Sequence, residues 1–137
     1  MRHAPNVPLS DLAWNRLPGP YWFHYTTRHA AEEIVRTVAY IVGERASPGL
    51  YVTHLMPGQL DDEQLLNALL DGTRQLERVQ AAVVLHDDPA LPLVRDGPNA
   101  WVHPAPPNAE IELTDIVVGH AYKADGLWHY ERSLWDF

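Results

Sequence analysis

At 137 residues the chain has the length of one ordinary domain, long enough to bury roughly 68% of its unfolded surface without help from disulfides or metals. It has no cysteine, which excludes disulfide scaffolds, thiol nucleophiles and cysteine-based zinc sites. A formal charge of −8 supplies no attraction for a phosphate backbone, so nucleic acid is not expected as a non-specific ligand.

Residues 1–19 are proline-bearing and aperiodic and read as an irregular lead-in. Met1-Arg2-His3-Ala4-Pro5 is not followed by an apolar leader core, and no apolar run approaches the ~20 residues that cross a bilayer. No membrane association is expected. A cytoplasmic location suits a cysteine-free chain, and so does passage in unfolded form through a secretion machine.

Tyr21-Trp22-Phe23-His24-Tyr25 is aromatic-dense and predicts a short strand. A helix follows, capped by Thr26 or Thr27, with Glu32 and Glu33 in its early turns. Ala31, Ile34, Val35 and Val38 recur at helical spacing and would face the core. Ser47-Pro48-Gly49 signals a turn, Leu50-Tyr51-Val52-Thr53 a strand, and Met56-Pro57-Gly58 its end. Asp61 with Gln64 three residues on resembles a capping box. The helix it opens carries a stripe of Leu65, Leu66, Leu69 and Leu70, with Gly72 as the stop.

The second half reads as β-rich. Val79 to Leu85 is a valine-rich apolar run suited to a buried strand, and Trp101-Val102-His103 is a short strand between prolines. Glu110-Ile111-Glu112-Leu113-Thr114 alternates as a half-buried strand does, and the break at Asp115 predicts a bulge or turn. Trp128, Tyr130 and Trp135 would anchor the C-terminal end. The order predicts one α+β domain over 1–137, with small antiparallel sheets and helices mainly in the N-terminal half.

The eight histidines lack ligand spacing and H-E-x-x-H is absent, so no metal site is expected. No G-x-S-x-G elbow or phosphate-cradling glycine loop occurs. Asp61-Asp62-Glu63 belongs at a helix start, Asp87-Asp88-Pro89 reads as a turn, and Glu110 with Glu112 as the wet face of a strand. Arg74 and Arg78, one helical turn apart, and Arg36 and Arg45, flanking another segment, leave room for a local basic patch, but they read first as solvated surface residues.

Two segments are more specific: Trp22-Phe23-His24-Tyr25-Thr26-Thr27 leading into the first helix, and Ser47-Pro48-Gly49-Leu50-Tyr51-Val52-Thr53-His54-Leu55-Met56-Pro57-Gly58. Together they cover 18 of the 137 residues. They resemble the bacterial ADP-ribosyltransferase toxins of the H-Y-D type, within the diphtheria-toxin/poly-ADP-ribose-polymerase superfamily. The resemblance implies an ADP-ribosyltransferase-like core that consumes NAD as a substrate. Its triad would be His24, Tyr51 and Asp96, and its cofactor-binding residues His24, Tyr25, Thr26, Gly49 and Tyr51. His24 would hold a ribose hydroxyl, the backbone at Tyr25 the nicotinamide amide, and Tyr51 the nicotinamide ring. Where better-known relatives carry a glutamate this chain has Asn99 or Ala100, which leaves Asp96 to supply the acid; Asp96-Gly97 is equally an ordinary turn pair.

The implied partners are a macromolecular acceptor, bound through the loops around Met56–Asp61 and Asp87–Arg95, and a neutralising immunity or antitoxin protein. Delivery to a target cell within a larger toxin also fits. The opposing reading is a non-enzymatic acidic interaction protein, itself of the immunity or antitoxin kind.

Overall fold

A computed structural model describes residues 7–8, 21–69 and 75–133; Leu70, Gly72, Arg74, Trp135 and most of the lead-in lie outside the described residues. In chain order the first elements are β1 (Val7–Pro8), β2 (Tyr21–Thr26), α1 (Arg28–Thr37), β3 (Ala39–Ile41), β4 (Gly49–Val52) and α2 (Asp62–Leu69). A 3₁₀ turn (Leu76–Val79) then leads to β5 (Ala81–His86), β6 (Val94–Arg95), β7 (Trp101–Pro104), β8 (Glu110–Glu112), β9 (Val117–Ala124) and β10 (Leu127–Arg132). These elements make an α+β fold with three small antiparallel sheets. The helices are not mainly N-terminal, contrary to the expectation above. Only α1 lies well inside the first half, because α2 runs up to the chain's midpoint and the 3₁₀ turn lies beyond it.

The largest sheet has the order β1-β10-β9-β5-β2, the second β4-β7-β6, and the third pairs β3 with β8. Interior strand β5 is apolar and buried from Ala81 to Leu85, because both of its faces are covered. One face meets α1, which sends Ala31 and Ile34 into a core shared with Val83, Leu85 and Leu113. The other carries Phe23, Val84, Val118 and Trp128. The Val79 end of the expected strand is wound into the 3₁₀ turn instead.

Local signals account for both helices. Thr27 caps α1 by accepting the Ala30 amide at 3.1 Å, and Arg28 takes the first helical position. Glu32 and Glu33 therefore lie beyond the first turn, where they pair with Arg28 at 3.3 Å and Arg36 at 2.8 Å. Asp61 and Gln64 form a reciprocal box, the Gln64 amide donating to Asp61 Oδ1 at 2.8 Å and the Asp61 amide to Gln64 Oε1 at 3.0 Å. Lys123 reaches Asp62 at 3.0 Å and fixes α2 to β9. No helix among the described residues is long and apolar enough to cross a membrane.

What positions the site is the meeting of two sheet edges. β2 ends the five-stranded sheet and β4 ends the three-stranded one. They touch at a single antiparallel bridge, where Phe23 and Thr53 exchange both backbone hydrogen bonds at 2.9 Å. On either side of that bridge the strands follow different sheets.

Candidate functional site

The edges part on the His24 side of the bridge and leave a cleft of about 340 Å³, within the usual range for small-molecule pockets. Its walls include His24, Tyr40, Arg45, Tyr51, Arg78 and Ala100. The two sequence segments singled out above thus meet in space, 27 positions apart in the chain. His24 Nδ1 lies 2.7 Å from the Tyr51 carbonyl oxygen. A carbonyl only accepts, so Nδ1 carries the proton and neutral His24 keeps the Nε2 lone pair as an acceptor. Burial holds the imidazole below its ordinary value; the bond to Tyr51 opposes that shift, and the positive charge of Arg78 adds to it. The ring also sits edge-on to Tyr40 at 5.0 Å.

Backbone alternation explains how Tyr25 takes part. Because Phe23 directs its N–H and C=O toward Thr53, the pairs that bond β2 to β5 are the alternate ones, His24 with Val83 among them. Tyr25, two residues on from Phe23, therefore turns its own N–H and C=O toward the side where β4 diverges. Its phenol donates to the Leu55 carbonyl at 2.5 Å, and burial raises it far above the ordinary tyrosine value, so the group stays neutral. Thr26 also lines the cleft, leaving Thr27 to cap the helix.

Tyr51 is fixed at both ends of its side chain. The hydroxyl donates to the Ser47 carbonyl, and the Arg45 guanidinium lies over the ring at 4.0 Å from its centre. Burial raises the Tyr40 phenol, an effect that Arg45 and Arg78 oppose. Gly49 supports the wall and does not line it. A Cβ there would stand 2.4 Å from the His103 carbonyl oxygen and 2.7 Å from Val102 Cγ2, so only glycine lets β4 approach β7 this closely.

Asp96 stands apart from this group. It is exposed on the turn between β6 and β7, its amide donates to the Ala100 carbonyl at 2.8 Å, and it is not among the residues lining the cleft. Ala100 lines it instead. Among the described residues the lining includes two arginines and no carboxylate, in a chain whose net charge is −8. Tyr40, Arg45 and Arg78 were not legible as site residues. They lie outside both motifs, and nothing in the spacing of the two arginines signals that the fold brings them to one cleft. Among the described residues no group of three His, Asp or Glu side chains could hold a metal ion.

The chain matches no protein-family model, no curated protein and no solved structure.

Proposed function

We propose that the cleft binds NAD and that the protein is an ADP-ribosyltransferase-like toxin domain, with ADP-ribose passing to a macromolecular acceptor or to water. The observation that carries this reading is the convergence of His24 and Tyr51, each from its own motif, on one cleft that is cationic in an acidic protein. Neutral His24 offers Nε2 to a ribose hydroxyl, and the outward backbone of Tyr25 matches the donor and acceptor of a carboxamide. The Tyr51 ring gives nicotinamide an aromatic face, which Arg45 must vacate or share. Arg45 and Arg78 favour the pyrophosphate. In the reaction, nicotinamide leaves with the electron pair of its bond to the ribose C1′ through an oxocarbenium-like centre. The acceptor's nucleophile then bonds to that carbon and gives its proton to water. Asp96 enters this scheme only if the β6–β7 turn moves toward the cleft.

A specific observation favours a second reading, a non-enzymatic binding protein: alanine, and no acid, faces the cleft at position 100. Calorimetric titration of NAD into the wild type and Tyr51→Ala, with nicotinamide release followed by chromatography, separates the two. Saturable binding lost in Tyr51→Ala, with nicotinamide released, is the expected result. Binding without release selects the second reading, and no saturable binding of NAD sinks the NAD site itself.

A further inference from the structure

On the other side of the Phe23–Thr53 bridge lies a second cavity, of about 500 Å³ and of opposite character. Its walls include Trp22, Trp101, Pro89 and Pro92, and its charged members are Asp87 and Asp88; among the described residues no lysine, arginine or histidine lines it. We propose that this aromatic pocket binds a basic side chain, arginine or lysine, of a protein partner.

The pocket is built before any partner arrives. The Trp22 indole N–H donates to Asp87 Oδ1 at 3.2 Å, which holds that carboxylate beside the ring. Asp88 Oδ1 accepts the Ala90 amide at 2.8 Å, the Leu91 amide closes a turn onto the Asp88 carbonyl at 2.9 Å, and Leu91 is buried in the core. His103 Nδ1 donates to the Pro92 carbonyl at 2.8 Å and ties the far end of the loop to β7. Trp101 leans on Trp22 at 5.0 Å, while His54 stacks on Trp22 at 3.7 Å and braces both rings. A carboxylate accepts several hydrogen bonds, so each aspartate keeps acceptor capacity beyond the bond that positions it.

Two features choose the occupant. The carboxylates favour a cation over a neutral or acidic group. Arg95 of this chain already lies 5.1 Å from the Trp101 ring centre, so the two carboxylates supply the charge that holds a ligand cation and the rings supply its apolar wall. Arginine and lysine also bring apolar stems that can lie against Pro89 and Pro92.

The pocket also stands next to the cleft. Trp22 and His24 are two residues apart on the same face of β2, roughly 7 Å along the strand. Trp101 directly follows Ala100 of the cleft wall. A partner holding a basic side chain in the outer pocket would present neighbouring groups to the cleft. That last step, a basic-residue-bearing protein as the acceptor, rests on the NAD reading above, whereas the pocket's own ligand does not.

The test titrates N-acetyl-argininamide, and its neutral analogue N-acetyl-citrullinamide, into the protein without NAD. The readout is the indole N–H resonances of Trp22 and Trp101 by NMR. The comparison is with Asp87→Asn/Asp88→Asn, which removes both charges and keeps an oxygen for each structural hydrogen bond. Saturable shifts with the arginine compound, weakened about tenfold in the variant and absent with citrulline, are expected. Equal shifts from both compounds, shifts untouched by the variant, or none up to the solubility limit would overturn the proposal. NAD titrated into the same variant is expected to bind as in the wild type, so a failure of this pocket and a failure of the NAD cleft are read from different experiments.

Discussion

Two histidines on two strands of one sheet meet opposite fates. His24, on edge strand β2, has a partner for Nδ1 in the Tyr51 carbonyl and lies in a cleft where the chain leaves space. His120, on interior strand β9, is 3% exposed, and neither ring nitrogen has a hydrogen-bond partner. Burial lowers the proton affinity of both. The difference is what surrounds that shift. At His24 a backbone acceptor sets the tautomer and the ring borders an open cleft. At His120 the ring is stacked on Tyr122 at 5.5 Å, with Glu131 opposite on β10, Glu32 and Arg28 on α1 and Val83 on β5. The first arrangement leaves an acceptor beside open space, and the second is packing obtained at the cost of two unsatisfied polar atoms. A depressed histidine is thus a functional signal only when geometry gives it work to do.

The sharpest way to break the cleft without touching its polar groups is Gly49→Ala. The added methyl collides with backbone at His103 and with Val102, neither of which can yield without shifting the β4–β7 pairing that carries Tyr51. A loss of about 2–3 kcal/mol in urea unfolding is expected, together with loss of NAD binding, while the β9–β10 pairing around His120 persists. A variant as stable as the wild type would show that β4 is less tightly seated than Gly49 implies.

Acid probes the other side of the comparison. A histidine whose folded value lies below its unfolded one, near 6.5, contributes stability that is complete above that pH and is lost as pH falls toward the folded value. Each such group steepens the loss by up to about 1.4 kcal/mol per pH unit in that window. His24 and His120 both act in this direction. His120→Leu removes one of them together with two unsatisfied atoms, so it should raise stability by roughly 1 kcal/mol near neutrality and flatten the decline below about pH 6.5. Urea melts across that range decide the matter. An unchanged slope would mean that His120 finds a partner on protonation, Glu131 being the nearest candidate across the strands.

How legible these two regions were differs for physical reasons. The strands around His24 and Tyr51 are short, aromatic or β-branched, and bounded by turn residues, so local propensity and tertiary structure agree. The Asp61–Gln64 box and the α2 stripe behaved likewise. The β9–β10 hairpin, the longest among the described residues, is not legible as one in the sequence. Val117–Ala124 is buried on both faces along most of its length, so no alternation survives, and Gly119 and Ala121 dilute its β-propensity. The turn itself was readable: Asp125-Gly126, with φ of 54° and 77°, has the left-handed pair that a tight hairpin demands. Arg45 and Arg78 had no local signature, because what makes them site residues is the parting of two sheet edges, and that is a property of the whole fold.

The smallest expected effect bears on the group the resemblance leaned on for its acid. Arg45 stacks on Tyr51 inside the cleft, whereas Asp96 sits outside it on an exposed turn that holds its shape through backbone contacts to Ala100. Arg45→Ala should therefore weaken NAD about tenfold by removing a charged contact to the pyrophosphate, while Asp96→Asn leaves the affinity within about twofold. Calorimetry on the two variants side by side measures this. If Asp96→Asn alters affinity as much as Arg45→Ala does, the β6–β7 turn closes over the bound dinucleotide, and the acid belongs to the site after all. If it does not, the turn stays away from bound NAD, and nicotinamide release by the same variant then decides whether Asp96 acts on the transition state alone.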